Sequence, residues 1–182
     1  MSPYAMTAAT RKILAAVVGA VLLLPAVGAG AAGYGGQEHV KLLDGPTLEI
    51  TATLDPGEPT STLYAYNISY FTRDSQTWAS FVVDNGSVLP GQRALLKLQV
   101  LRDQEVRLRN GGREHRPTVE LRYCLGSRSY QSRVSLLPRS GYTPSLVLGQ
   151  NALTGLGSID PTRKFTVEPT CPKPAAAAPD QP

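Results

Sequence analysis

The sequence predicts an all-β domain, a barrel or a sandwich, with one short helix near its C-terminal end. Three observations carry that prediction. Apolar and polar residues alternate with a period of two over many short runs, Gly, Pro, Asn and Asp turn signals separate the runs, and only Gln150 to Thr154 reads as helical. No tandem repeat appears at the periods that mark solenoids or propellers.

The chain opens with a segment of a different kind. Arg11 and Lys12 form a positive start, Ile13 to Val27 an apolar run broken by Gly19 and Pro25, and Ala29-Gly30-Ala31 a small-residue cleavage pattern. This is the layout of a secretory signal over residues 1–31, and it predicts cleavage after Ala31, a periplasmic or secreted product, and no membrane span once the signal is gone. Residues 32–38 read as a flexible, glycine-rich leader, 39–171 as the folded domain, and 172–182 as a disordered Pro/Ala tail.

Within the domain the first half-buried strand is clear. Leu48, Ile50, Ala52 and Leu54 point one way, and Thr47, Glu49, Thr51 and Thr53 the other. The same period continues at Leu63 to Phe71, Thr77 to Val83, Ala94 to Leu101, Glu105 to Arg109, Thr118 to Leu125, Ser129 to Leu137 and Lys164 to Val167. Asn67-Ile68-Ser69 and Asn85-Gly86-Ser87 fit the glycosylation pattern, and both also read as ordinary turn residues.

Two of the eighteen basic residues, Arg11 and Lys12, belong to the signal, leaving sixteen against fourteen acidic ones, so the processed chain is near neutral. Its arginines are nonetheless crowded: Arg102, Arg107, Arg109, Arg113, Arg116, Arg122, Arg128, Arg133 and Arg139 share one segment with Asp103, Glu105, Glu114 and Glu120. Such a stripe reads as a solvated strand face or as a surface for an acidic polymer. Aromatic residues are not interleaved with it in a stacking pattern, which argues against nucleic acid as a partner. Cys124 and Cys171 both lie in the domain, where an oxidising compartment lets them pair and pin the C-terminal strand.

Two motifs stand out. In the first, the apolar strand Ile50-Thr51-Ala52-Thr53-Leu54 runs into Asp55-Pro56-Gly57-Glu58 and then Pro59-Thr60-Ser61-Thr62-Leu63-Tyr64-Ala65. In the second, Ser145-Leu146-Val147-Leu148 ends at Gly149 and opens the short helix Gln150-Asn151-Ala152-Leu153. In this order and separation they resemble the two halves of a retropepsin-like aspartic peptidase. The resemblance is nearest to a bacterial subfamily labelled ATP-dependent zinc proteases, and it extends from about His39 to Val167. Gly111 to Pro117, Arg139-Ser140-Gly141 and the strand around Trp78 fit that subfamily's pattern.

The resemblance implies a small closed acid-protease-like (retropepsin) barrel that dimerises, each copy contributing Asp55 as a catalytic carboxylate. Two carboxylates held too close for both to ionise let one keep a proton while the other activates water against an amide. Gly57 supplies the tight turn after Asp55, and Leu148 and Gly149 form the binding element beside it.

The loop departs from the family's Asp-Thr-Gly-Ala at two positions. Pro56 has neither the hydroxyl nor the N–H that brace paired loops across a dimer, and Glu58 adds a second carboxylate where the family has alanine. Tyr64 stands where the family motif often has histidine. His39, His115, Cys124 and Cys171 lack short ligand spacing, and no glycine-rich phosphate loop is present, so neither metal, nucleotide nor other cofactor is expected.

Two functions follow. One is an exported aspartic endopeptidase acting as a homodimer. The other is a catalytically silenced peptidase fold that binds an extended peptide or an envelope protein. An unrelated β-sandwich assembly module is a third possibility, set apart by one test: only in the peptidase fold do the Asp55 loop and Leu146 to Gly149 lie side by side.

Overall fold

The alternating runs fold into strands in the computed structural model, which describes residues 33–86, 92–141 and 144–172. They are β1 (Gly33–Leu42), β2 (Leu48–Leu54), β3 (Ser61–Arg73), β4 (Gln76–Asp84), β5 (Arg93–Arg107), β6 (Arg113–Leu125), β7 (Arg128–Pro138), β8 (Leu146–Leu148) and β9 (Ser158–Lys164). The one helix among the described residues, α1 (Gln150–Leu153), is a single turn. The expected signal, 1–31, and residues 173–182 of the expected tail lie outside the described residues.

The strands pair in the order β4-β5-β6-β7-β3-β8-β2-β1-β9, and further pairings of β4 with β3 and of β6 with β1 bend this sheet into a ring. The all-β expectation is met. Alternation explains the core: in β2, Leu48, Ile50, Ala52 and Leu54 are all buried, and they meet Val40, Leu63, Phe81, Leu96, Leu121, Leu136, Leu146 and Leu148 inside. Burying such side chains contributes about 1.5–3 kcal/mol each.

Three expectations need correction. Residues 33–38 are not a leader but the first half of β1, paired in parallel with β9 from Gly33↔Ser158 to Gln37↔Lys164. The glycines there serve close approach, since a Cβ on Gly35 would sit 2.6 Å from the carbonyl oxygen of Arg163. Glu105 to Arg109 is no separate strand. β5 runs through to Arg107 with a register shift between Val100 and Arg102. The last strand ends at Lys164, and residues 165–167 instead form a backbone clasp around a buried carboxylate.

That carboxylate belongs to Glu38, which is fully buried. It accepts hydrogen bonds from the Gly35 and Thr166 N–H groups, from Val167 N–H and from the Thr166 hydroxyl, so its desolvation is offset by four donors. Further along, Cys171 is joined to Cys124 of β6 by a disulfide, Thr170 N–H donates to the Gly126 carbonyl at 2.9 Å, and Lys41 Nζ donates to the Pro169 carbonyl at 3.0 Å. The C-terminal segment is thereby held along β1 and β6.

The arginine stripe falls on β5, β6, β7 and the connections at their ends, with its side chains exposed or half-buried. Several are paired: Arg113 with Glu105 at 2.9 Å, Arg116 with Glu114 at 2.7 Å, and Arg122 with Asp44 at 2.7 Å. Of the two glycosylation patterns, Asn85 is 1% exposed and closed to a glycan, whereas Asn67 is exposed at a φ of 53°.

Replacing Glu38 by Ala leaves the Thr166 and Val167 N–H groups without their acceptor, while Gly35 N–H keeps Thr166 Oγ1 and the Thr166 hydroxyl keeps the Gly33 carbonyl, and a loss of about 2–4 kcal/mol is expected from urea unfolding. Reducing the disulfide releases a cross-link between residues 47 apart. In the chain-entropy account this lowers stability by about 4 kcal/mol, measured as the shift in urea midpoint with reductant.

Candidate active site

β2 carries Asp55 to the end of the sheet, and β8 fixes where it stands. β8 lies between β2 and β3, parallel to β2 with Ala52↔Leu146, Thr53↔Val147 and Leu54↔Leu148, and antiparallel to β3 with Thr62↔Val147 and Leu63↔Leu146. The ladder continues one step past the strand, where Asp55 N–H donates to the Leu148 carbonyl at 2.9 Å. The two motifs are neighbours, as the peptidase fold requires.

Residues 55–58 form a turn closed by Glu58 N–H on the Asp55 carbonyl at 3.2 Å, with Asp first and Pro second, positions these residues favour. Gly57 N–H donates to Asp55 Oδ1 at 2.9 Å, which orients the half-buried carboxyl group. α1 braces the turn from behind: Gln150 N–H donates to the Glu58 carbonyl at 2.8 Å, and Gln150 Nε2 to the Pro56 carbonyl at 2.9 Å. Pro56 thus lacks a donor for a cross-subunit brace but keeps an acceptor that its own chain uses.

Gly149 makes this approach possible. A Cβ there would lie 2.6 Å from the Thr60 carbonyl oxygen and 2.7 Å from that of Glu58. Its N–H donates to the buried Ser61 hydroxyl at 3.0 Å, the hydroxyl donates to Asn151 Oδ1 at 2.8 Å, and Asn151 Nδ2 donates to the Arg133 carbonyl at 2.8 Å. Ser61 and Asn151 tie the two motifs together and were missed from sequence. The available signal was a hydroxyl at an inward position of an alternating strand.

In front of Asp55 opens a cleft of about 360 Å³, lined by Thr53, Asp55, Glu58, Thr62, Tyr64, Leu137, Pro144 and Val147. Register explains most of the lining. Val147 is bracketed by Thr53 and Thr62 across the sheet, and Asp55 and Tyr64 follow two residues on, so all five share one face.

Of the four expected site residues, Asp55 lines the cleft and Gly57 orients it. Leu148 is buried in the core and serves through its carbonyl, and Gly149 is pressed against residues 58–60; Val147, the neighbour of Leu148 in the second motif, supplies the wall. The histidines lie elsewhere, His39 stacked on Phe165 at 4.2 Å and His115 Nδ1 3.0 Å from Asp103.

Gly149→Ala forces the Asp55 turn away from β8. A loss of about 2–4 kcal/mol in urea unfolding is expected, with increased amide exchange at residues 55–60.

The comparisons with known proteins agree with this geometry. Residues 34–170 match the family described as RimB-like, retropepsin-like aspartic endopeptidase RimB. A "Probable alpha-L-glutamate ligase" of Parasynechococcus marenigrum is 32% identical over 115 residues, covering 62% of this chain and 24% of that protein. One of the same description from Shewanella pealeana is 25% identical over 118 residues, covering 64% and 25%. This chain therefore spans about a quarter of the length of these curated relatives. A crystal structure of a protein of unknown function from Legionella pneumophila superposes with a TM-score of 0.61 and 26% identity, over 75% of this chain and 98% of that one. With the match covering the whole ring of strands, the Asp55 turn and the Gly149 element, the chain belongs to the RimB-like family of retropepsin-like aspartic endopeptidases.

Proposed function

We propose that this protein is an exported aspartic endopeptidase that hydrolyses extended peptides as a homodimer, with Asp55 from each copy forming the catalytic pair. The observation that carries this reading is the placement of Asp55, whose carboxyl is oriented by Gly57 N–H, whose backbone is locked to Leu148, and which faces an open cleft. One chain supplies one such carboxyl, and a two-fold symmetric partner supplies the second. In the pair, one carboxyl holds a proton and polarises the substrate carbonyl while the other takes a proton from water as it attacks. The tetrahedral species then collapses as the leaving amine is protonated.

Export is supported by the signal-like first thirty-one residues and by the Cys124–Cys171 disulfide, which suits an oxidising compartment. The ligase activity named for the curated relatives is not carried over to a chain that spans a quarter of their length.

A second reading, a silenced peptidase fold that binds an extended peptide or an envelope protein, is favoured by one specific feature. Pro56 and Glu58 replace the residues that brace and clear the family's loop.

Turnover of a peptide library by the purified protein separates the two readings. For the endopeptidase, Asp55→Ala lowers kcat/KM by about 10³-fold or more, and the rate per chain rises with protein concentration as dimers form. Turnover confined to a Pro56→Thr, Glu58→Ala double variant would establish the silenced module. Equal turnover by wild type and Asp55→Ala would remove Asp55 from the chemistry.

A further inference from the structure

We infer that Glu58 makes the cleft selective for peptides that present a basic side chain, Lys or Arg, to its wall. The inference rests on the proposed role of this cleft as the peptide site and names the class of peptide it takes.

The lining is charge-asymmetric. Among the described residues it contains two acidic side chains, Asp55 and Glu58, and no Lys, Arg or His. The stripe of arginines runs along β5 to β7, and none of them lines this cleft. Among the described residues, no ion pair involves Asp55 or Glu58. The Glu58 carboxylate has no hydrogen-bond partner there either, whereas one oxygen of Asp55 is occupied by Gly57 N–H. Among the described residues the anionic wall thus has no counter-charge.

Glu58 is also well placed to select. Its backbone is fixed on both sides, its N–H on the Asp55 carbonyl and its carbonyl taking the Gln150 N–H, so the residue cannot swing away from the cleft as a loose loop would. Its side chain is exposed at the mouth. In the same cleft, Leu137, Pro144 and Val147 offer apolar surface for the methylene stem of a Lys or Arg whose charged head reaches the carboxylates. An anionic group on one wall of a substrate pocket is a known way to set side-chain preference in peptide hydrolysis. An alanine at this position, as in the family's loop, carries no such charge.

The test is a calorimetric binding series on the full-length protein with the peptides Ac-Ala-Val-Xaa-Val-Val-Ala-NH2, where Xaa is Lys, Arg, norleucine or Glu. Mass spectrometry follows any cleavage of the same samples. The Lys and Arg peptides are expected to bind about tenfold more tightly than the norleucine peptide, and the Glu peptide least tightly of all. The advantage should shrink in high salt, because the mouth of the cleft is open to solvent. In Glu58→Gln the Lys advantage should fall at least about threefold, and in Glu58→Lys the order of Lys and Glu should reverse. Both changes are at an exposed position, and an unchanged urea midpoint confirms folding. Equal binding of the Lys and norleucine peptides, an unaltered preference in both variants, or no binding of any peptide would overturn the inference. A charge preference without cleavage would uphold it and count against the endopeptidase reading. Cleavage with no preference would do the opposite.

Discussion

Gly149 lies against the carbonyls of Glu58 and Thr60 at distances that no side chain permits, and the rest of the site is arranged around that contact. Because the backbone can approach so closely, β8 fits between β2 and β3 and the Leu148 carbonyl is left facing Asp55 N–H. α1 then starts where its first N–H and its Gln150 side chain meet the Asp55 turn from behind. The backbone of the catalytic candidate is therefore positioned by hydrogen bonds from a segment more than ninety residues away, while the local turn orients its carboxyl. Local sequence supplies the turn, and the distant segment supplies its address.

The ring of strands that carries this contact is secured by polar means where its first strand meets the stretch after its last. β1 and the stretch after β9 meet around the Glu38 carboxylate, which takes donors from both sides of the junction, and the disulfide fixes the same stretch to β6. A buried carboxylate satisfied by four donors favours one arrangement of these strands, because any slip in register strands an acceptor or a donor away from water. β1 also pairs with β2 over Gln37↔Thr53 to Leu42↔Leu48, so the clasp steadies the strand that leads directly to Asp55. The clasp and the Asp55 turn are thus connected through β2.

The two substitutions in the loop differ in their physical effect. Pro56 fits the turn well, and its carbonyl is used by Gln150, so within one chain it costs little; its effect falls on whatever a second copy needs from an N–H or hydroxyl at that position. Glu58 leaves the turn hydrogen bonds intact and changes the electrostatics of the cleft instead. The two residues thus act on different things, Pro56 on the donors the turn offers and Glu58 on the charge of the cleft.

The sequence by itself determined the all-β class, the turn at Asp55, the Gly-terminated apolar element and the outward face that carries Thr53. Period-two alternation reports which side of a strand is dry, and turn residues report where the chain reverses, and both are local properties. It did not reveal that residues 33–38 are a strand, because their glycines have the composition of a flexible leader and differ from one only through the backbone of residues 161–164 that presses on them. Nor did it reveal the Glu38 clasp, the Ser61–Asn151 tie or the lining by Val147, Leu137 and Pro144. Those depend on which strands become neighbours and in what register. Only the closed ring decides that, since it brings together residues whose mutual distance along the chain leaves no trace in local patterning.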